Sequence, residues 1–314
     1  MKRFQNILLY AGMEQNEAAI NRAVNLAMEN RAPLTFMDVV KPIPRALGML
    51  TDVVETEEMQ RLLVQDHREK LLAIASDYVG TGVEIDVLVS SGDPATEIVR
   101  QVLEKKYDLV VKAVNEDTMG ERIFGSISRS LLRLCPCPVW LLKPEIHGQF
   151  DVVLAAVDME DQDPVHVELN REILELGHAV AAREDAKLHI VSVWDFWMEQ
   201  ALRRRAGDEE IDVALAAHKA TIGKRLEAFL EPFRATHEAP EVHLRRGSPS
   251  SIVRSVADDI EADLLVMGTV CRTGAAGFLI GNTAETVLNH VTCSILALKP
   301  DGFISPVELA SQAG

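Results

Sequence analysis

The sequence predicts an α/β protein made of two related units in tandem, each a parallel β-sheet covered on both faces by helices. Three observations predict it. The chain has 314 residues, a length that fits two domains of about 150 residues, although length alone also fits one large barrel. The chain also repeats itself. Gly92-Asp93-Pro94 and Asp108-Leu109-Val110-Val111 return as Gly247-Ser248-Pro249 and Asp263-Leu264-Leu265-Val266, both 155 positions later. Gly125-Ser126, Cys137 and Lys143-Pro144 return as Gly281-Asn282, Cys293 and Lys299-Pro300, all 156 positions later. Matches held at nearly constant spacing mark a duplication, and the one-residue slip places a deletion in the loop after the fourth strand of the first copy. Third, short β-branched apolar runs alternate with longer stretches of helical period, as in successive βαβ units.

In the first copy, strands are expected near 5–11, 33–40, 83–89, 108–113 and 138–142, with helices near 14–30, 56–79, 94–105 and 125–134. The second copy gives strands near 151–157, 187–194, 240–245, 263–268 and 294–299, and helices near 164–184, 208–235, 249–260 and 281–291. Runs such as Val152-Val153-Leu154-Ala155-Ala156-Val157 are apolar at consecutive positions, as a strand covered on both faces must be. The longest helix shows its buried stripe at Ile211, Leu215, Ile222, Leu226, Phe229 and Phe233. Domains are expected at 1–146 and 150–300, joined by the short junction His147–Phe150, with a weakly patterned tail over 301–314.

Hydrophobic residues at 47% and charged residues at 25% describe an ordinary globular chain and exclude disorder, collagen and a disulfide scaffold. The formal net charge is −16, so the chain repels phosphate backbones and anionic lipid, and neither nucleic acid nor membrane is an expected partner. The basic cluster Arg203-Arg204-Arg205 lies between acidic stretches and reads as a solvated face. Four cysteines, unevenly spaced, point to a reducing compartment. Met1-Lys2-Arg3 precedes only a short apolar run from Ile7 to Ala11, so no secretory signal is expected and the cytoplasm is the expected address.

Ligands of open parallel sheets settle beyond the carboxyl ends of the strands, near the point where strand order reverses. In the second copy these ends carry Asp158 and the loop Gly268 to Gly277, which leads to Gly281-Asn282-Thr283 at a helix start. Glycines permit close backbone approach and a helix start offers free N–H donors to phosphate, while Arg272 could add a charged contact.

With these residues the chain resembles the tandem-domain universal stress proteins. Nucleotide-binding members of that family carry an Asp after strand one, then Gly, two residues, Gly, nine residues, Gly and Ser or Thr. Val153 to Asp158 matches the first part. Met267-Gly268, two residues, Cys271, nine residues and Gly281-Asn282 match the second in spacing. The resemblance spans nearly the whole chain, twice. It implies two Rossmann-like (adenine-nucleotide alpha hydrolase-like) domains, each with a five-stranded parallel sheet between helices, packed as a pseudo-dimer through residues 138–142 and 294–299. Further homo-oligomers stay open. It assigns the adenine surroundings of a bound ATP to Asp158 and Val193, the phosphate surroundings to Gly268, Gly281, Asn282 and Thr283, and counts Met267 and Arg272 among the nucleotide-binding residues.

The departures are specific. Cys271 replaces the second glycine, and Asn282 stands where a hydroxyl would meet phosphate, though Thr283 could supply one. In the first copy Gly12 replaces the Asp, and Ala113 and Glu116 replace two glycines. Gly125-Ser126 survives there, read as a loop end and N-cap rather than a working site. Glu116 and Asp117 would place negative charge against phosphates.

Other constellations give no chemistry. Cys135-Pro136-Cys137 lacks the further ligands of a thiolate metal site, and its repeat at Cys293 reads as a small buried hydrophobe. His189 and His218 sit in no metal-binding spacing, and no carboxylate pair marks a Mg²⁺ site. No catalytic residue is named, and an enzyme is not expected. The leading reading is therefore a stress-response binding or regulatory protein, with ATP or a related nucleotide in the second domain. A scaffold for a partly apolar small molecule, or for none, is the alternative, motivated by Phe278-Leu279-Ile280 and the Trp194, Phe196, Trp197 cluster. A slow ATP hydrolase on the same pocket is a third.

Overall fold

The computed structural model describes residues 4–12, 16–44, 56–114, 125–143, 149–196, 198–272, 278–280, 282–288 and 290–308, with the backbone alone at 270–272, 278–280, 282–283 and 288. The chain gathers into two compact units, one formed by Lys2–Gly148 with Thr269–Ile280 and Ser294–Gly314, the other by Gln149–Gly268 with Gly281–Cys293.

The first unit runs β1 (Ile7–Tyr10), α1 (Glu17–Asn30), β2 (Leu34–Val40), α2 (Thr56–Ser76), β3 (Ile85–Ser91), α3 (Pro94–Lys105), β4 (Leu109–Ala113), α4 (Ser126–Leu134) and β5 (Val139–Leu142). Its strands lie in the order β3-β2-β1-β4-β5, all parallel, with Ile7 opposite Leu34 on one side and Leu109 on the other. Ile7, Leu8, Leu34, Phe36 and Leu109 are completely buried, as strands covered on both faces require. The α1 start is capped by Asn16, whose side chain accepts from the Ala19 amide, and the α3 start by Asp93, which accepts from Thr96.

The second unit runs β6 (Val152–Val157), α5 (Pro164–Glu184), β7 (Lys187–Trp194), α6 (Glu199–Ala206), α7 (Asp208–Arg234), β8 (Glu241–Arg246), α8 (Pro249–Asp259) and β9 (Leu264–Gly268), and adds α9 (Asn282–Leu288). Its strands order as β9-β6-β7-β8, again parallel. The first unit takes up the rest: β10 (Val270–Arg272), β11 (Phe278–Ile280) and β12 (Ser294–Leu298). Strand β12 lies antiparallel on β5, with Leu296 opposite Trp140, so residues 138–142 and 294–299 do meet.

The duplicated residues have duplicated jobs. Asp108 accepts from the amides of Gln5 and Asn6 at 2.7 and 3.0 Å, and Asp263 accepts from those of Asp151 and Val152 at 2.7 and 2.9 Å. In both units one carboxylate before the fourth strand thus ties down the start of the first. Gly92 and Gly247 take φ of 154° and 142°, backbone that L side chains rarely adopt, where a strand turns into a helix opened by proline.

Three features depart from the sequence reading. Glu199–Ala206 is helical: Arg203 bridges Glu199, Asp208 and Asp212 at 2.8, 3.2 and 2.6 Å, so ion pairs rather than an apolar stripe hold it. Segments 270–272 and 278–280, expected as loop and lid, pair antiparallel. On α7, Leu230 rather than Phe229 is fully buried.

Two lysines, Lys112 in β4 and Lys299, are buried among the described residues. Lys299, just past β12, donates from Nζ to Thr269 Oγ1 at 2.6 Å and to the Leu132 carbonyl. Desolvation pushes its pKa down to about 8, opposed only by the Cys135 thiol nearby.

Candidate functional site

In the second unit β6 continues to β7 and β8 on one side, while β9 returns to pair with β6 on the other. The carboxyl ends of β6 and β9 are therefore where strand order reverses, and a crevice opens at such a point because the connections leave in opposite directions. Asp158 follows β6, and Gly268 closes β9 one residue beyond Met267, which pairs with Ala156. Val193, in β7 beside β6, is buried, as is Met267.

The backbone of Asp158 is held from both sides by one residue. Asn170 on α5, itself buried, accepts from the Asp158 amide at 3.0 Å and donates to its carbonyl at 2.6 Å. Nothing in the local sequence marks Asn170; only the return of α5 over β6 brings it there. Beyond Asp158 the loop docks on α7: Arg225 donates to the carbonyls of Met159 and Glu160, both at 3.2 Å, and Glu160 lies 3.2 Å from His218. The Asp158 side chain keeps an exposed face, yet the protein around the strand end desolvates its carboxyl and raises its pKa above the usual carboxylate range. Amides of Glu160 and Asp161 pull it back, while their carboxylates push it further up.

Gly268 has a packing reason to be glycine. A Cβ there would stand 2.8 Å from Leu169 Cδ2 and 3.7 Å from Ile173 Cδ1, so α5 presses directly on the strand end. Of the remaining sequence-derived site residues, Asn282 and Thr283 open α9, while Arg272 ends β10, which belongs to the first unit. Gly281 lies outside the described residues, as do Glu116, Asp117 and Trp197.

In the first copy Gly125 is the N-cap residue of α4 and Ser126 its first residue, without a side-chain cap bond. The strand ends there enclose a cleft of about 400 Å³ lined by Tyr10, Gly12, Asp38, His67 and Lys112 among others. The buried Asp38 carboxylate meets His67 Nδ1 at 2.6 Å and the Val39 amide at 2.8 Å. Desolvation, with Asp38 and Asp93 nearby, raises the Tyr10 pKa. Buried carboxylate at the strand ends opposes phosphate.

A second concavity of the second unit was not foreseen. Between α5 and α7 lies an apolar groove of about 940 Å³, lined by Met159, Leu174, His178, Phe229, Pro232 and Phe233 among others. Phe229, half-buried, faces this groove instead of the core. The aromatic cluster expected from Trp194 and Phe196 is packing: Trp194 is buried, with its ring 5.7 Å from that of His218, and Phe196 lies 6.0 Å from the same ring. Cys135 and Cys293 are buried as small hydrophobes, whereas Cys137 is half-buried, its sulfur 3.5 Å from that of Cys135. Bonding to Cys135, with desolvation, raises the Cys137 pKa.

Among the described residues no helix is long and apolar enough to cross a membrane. The model of the universal stress protein family matches residues 3–143 and again 149–299. Universal stress protein E of Photorhabdus laumondii is 29% identical over 99% of this chain and 100% of its own. The Escherichia coli K12 protein of that name is 27% identical over 98% of each chain. Among solved structures, a functionally unknown protein from Pseudomonas aeruginosa PAO1 superposes with a TM-score of 0.69 at 22% identity, over 95% of this chain and 93% of that one. A universal stress protein from Archaeoglobus fulgidus gives 0.66 at 18%, over 95% and 99%. The two structures share the fold.

Proposed function

The chain belongs to the universal stress protein family, and from that premise we propose that it is a cytoplasmic stress-response binding or regulatory protein that holds ATP or a related nucleotide in its second copy. The observation that carries this reading is the reversal of strand order between β6 and β9, with Asp158 and Gly268 at its lip. Asp158 and Val193 surround the adenine end, and Gly268, Gly281, Asn282 and Thr283 the phosphate end, with Met267 beside Gly268 in the same strand. The stress domains proper are 1–146 and 150–300, followed by the tail 301–314. Native mass spectrometry and titration with ATP and Mg²⁺ test it. One nucleotide per chain, lost in Gly281→Trp, supports the reading; no nucleotide and no heat at millimolar ATP removes it. Phosphate release in the same mixture would favour the slow hydrolase.

A second reading has its own observation. The groove between α5 and α7 has the size and apolar lining of a small-molecule site, so the scaffold alternative places a partly apolar ligand there rather than at Trp194. A co-purifying mass that is not a nucleotide, lost in Phe229→Arg with ATP binding unchanged, would support it.

A further inference from the structure

Strands β7 and β8 are in register with His189 opposite Glu241, and His243 stands two residues further along β8. Because side chains alternate along a strand, all three project from one face of the sheet. His189 and His243 are buried and Glu241 is exposed. The nitrogens His189 Nδ1 and His243 Nε2 are 3.0 Å apart, Glu241 Oε2 is 3.7 Å from His189 Nδ1, and the three ligand atoms all fall within 4.8 Å of one another. The imidazole centroids are 5.3 Å apart.

We propose that His189, Glu241 and His243 form a divalent transition-metal site, with Zn²⁺ as its preferred ion and a fourth coordination position open to solvent or a small ligand. A tetrahedral zinc with bonds of about 2.0 to 2.1 Å sets its ligand atoms about 3.3 Å apart and the centroids of two imidazole ligands about 5.2 Å apart. The pair already has that spacing, so each ring needs only to turn for both lone pairs to meet one ion. Without metal the two nitrogens share one proton. When the ion takes their lone pairs, the donating imidazole moves that proton to its other nitrogen, and the pair binds as neutral rings carrying their protons on His189 Nε2 and His243 Nδ1.

The surroundings favour this state. Desolvation lowers both histidine pKa values, the direction that favours the neutral rings a metal needs, while the site itself rests on the geometry of the three side chains. Glu241 and Asp259 act on the pair against Lys187 and Arg245, and among the described residues Glu241 brings its carboxylate to the rings, at the exposed edge of the site. Two imidazoles and one carboxylate suit Zn²⁺ and its first-row neighbours. The site is distinct from the proposed nucleotide crevice: His189 precedes Val193 by four residues of strand, about 13 Å toward the opposite end of the sheet.

The test is titration of the chelator-treated full chain with Co²⁺, read by its visible d–d bands, followed by displacement with Zn²⁺. One equivalent per chain, bands lost in His243→Gln, and Co²⁺ affinity lowered in Glu241→Gln by at least the about 10–100-fold that even an outer-shell partner costs support the site. Glu241 is exposed, so that variant keeps its packing. No bands, or bands of full intensity and affinity in both variants, overturn it, the second outcome assigning the metal to other histidines.

Discussion

Lys299 offers a stability measurement whose sign is fixed by the structure. Its folded pKa of about 8 lies below the ordinary value of 10.5. Between these values the unfolded chain holds a proton that the folded chain has released, so stability rises with pH across this window and is flat below it. At neutral pH the buried charge costs about 3 kcal/mol, which falls by about 1 kcal/mol at pH 9 and by about 2.5 at pH 10. In Lys299→Met the charge is gone, but the Leu132 carbonyl loses its donor at a cost of about 1–3 kcal/mol, so the two proteins should have similar stability at pH 7. The slope separates them. Urea midpoints followed by circular dichroism at pH 7, 8, 9 and 10 should show the wild type gaining on the variant by the amounts above, every other titration cancelling in the difference. Parallel profiles would refute the reasoning, because Lys299 would then be titrating as a solvated amine.

Other perturbations test the site and the fold. Asn170→Ala removes both bonds to the Asp158 backbone and should cost about 2 kcal/mol in urea unfolding, with amide exchange at Asp158 accelerated; an unchanged exchange rate would show that the strand end does not depend on this clamp. Gly268→Ala meets the far end of the flexible Leu169 side chain and should cost only about 1 kcal/mol, whereas Gly268→Val should cost more; equal midpoints for both would mean that α5 does not press on the strand end. A chain ended at residue 148 leaves β5 without β12 and should self-associate on size exclusion; a folded monomer would contradict the role given to that pairing.

Much of the fold is legible in the sequence because fully covered strands are largely apolar and the chain states its pattern twice. The bounds of 94–105, 164–184 and 187–194 agree residue for residue. Helix Glu199–Ala206 was not legible, since its partners are carboxylates on the next helix and no apolar period records them. The position of a candidate residue was legible where it follows a strand, as at Asp158, but not where long-range packing supplies it. Asn170 reads as one more polar position on a helix. His189 and His243 read as scattered because their pairing is set by strand register, 54 residues apart. Gly268 fits a phosphate-loop pattern and a packing contact equally well in sequence, and only the position of Leu169 reveals the second reason.

The antiparallel seating of β12 on β5 also has a consequence in time. A ribosome adds about 5–20 residues per second, so some 150 residues separate the emergence of β5 from that of its neighbour and the delay is on the order of 10–30 s. Helices and the parallel strands β1 to β5 need far less than that to form. During the interval the nascent chain carries a sheet whose β5 edge is bare in addition to its permanent β3 edge, at the moment when neighbouring ribosomes on the same message present identical edges. Fusing two copies into one polypeptide therefore secures the partner strand by covalent linkage, but makes it arrive some 150 residues after β5. Slow codons or a pause before residue 294 would lengthen that exposure, and a trigger-type chaperone that shields strand edges would be needed most for this stretch of synthesis.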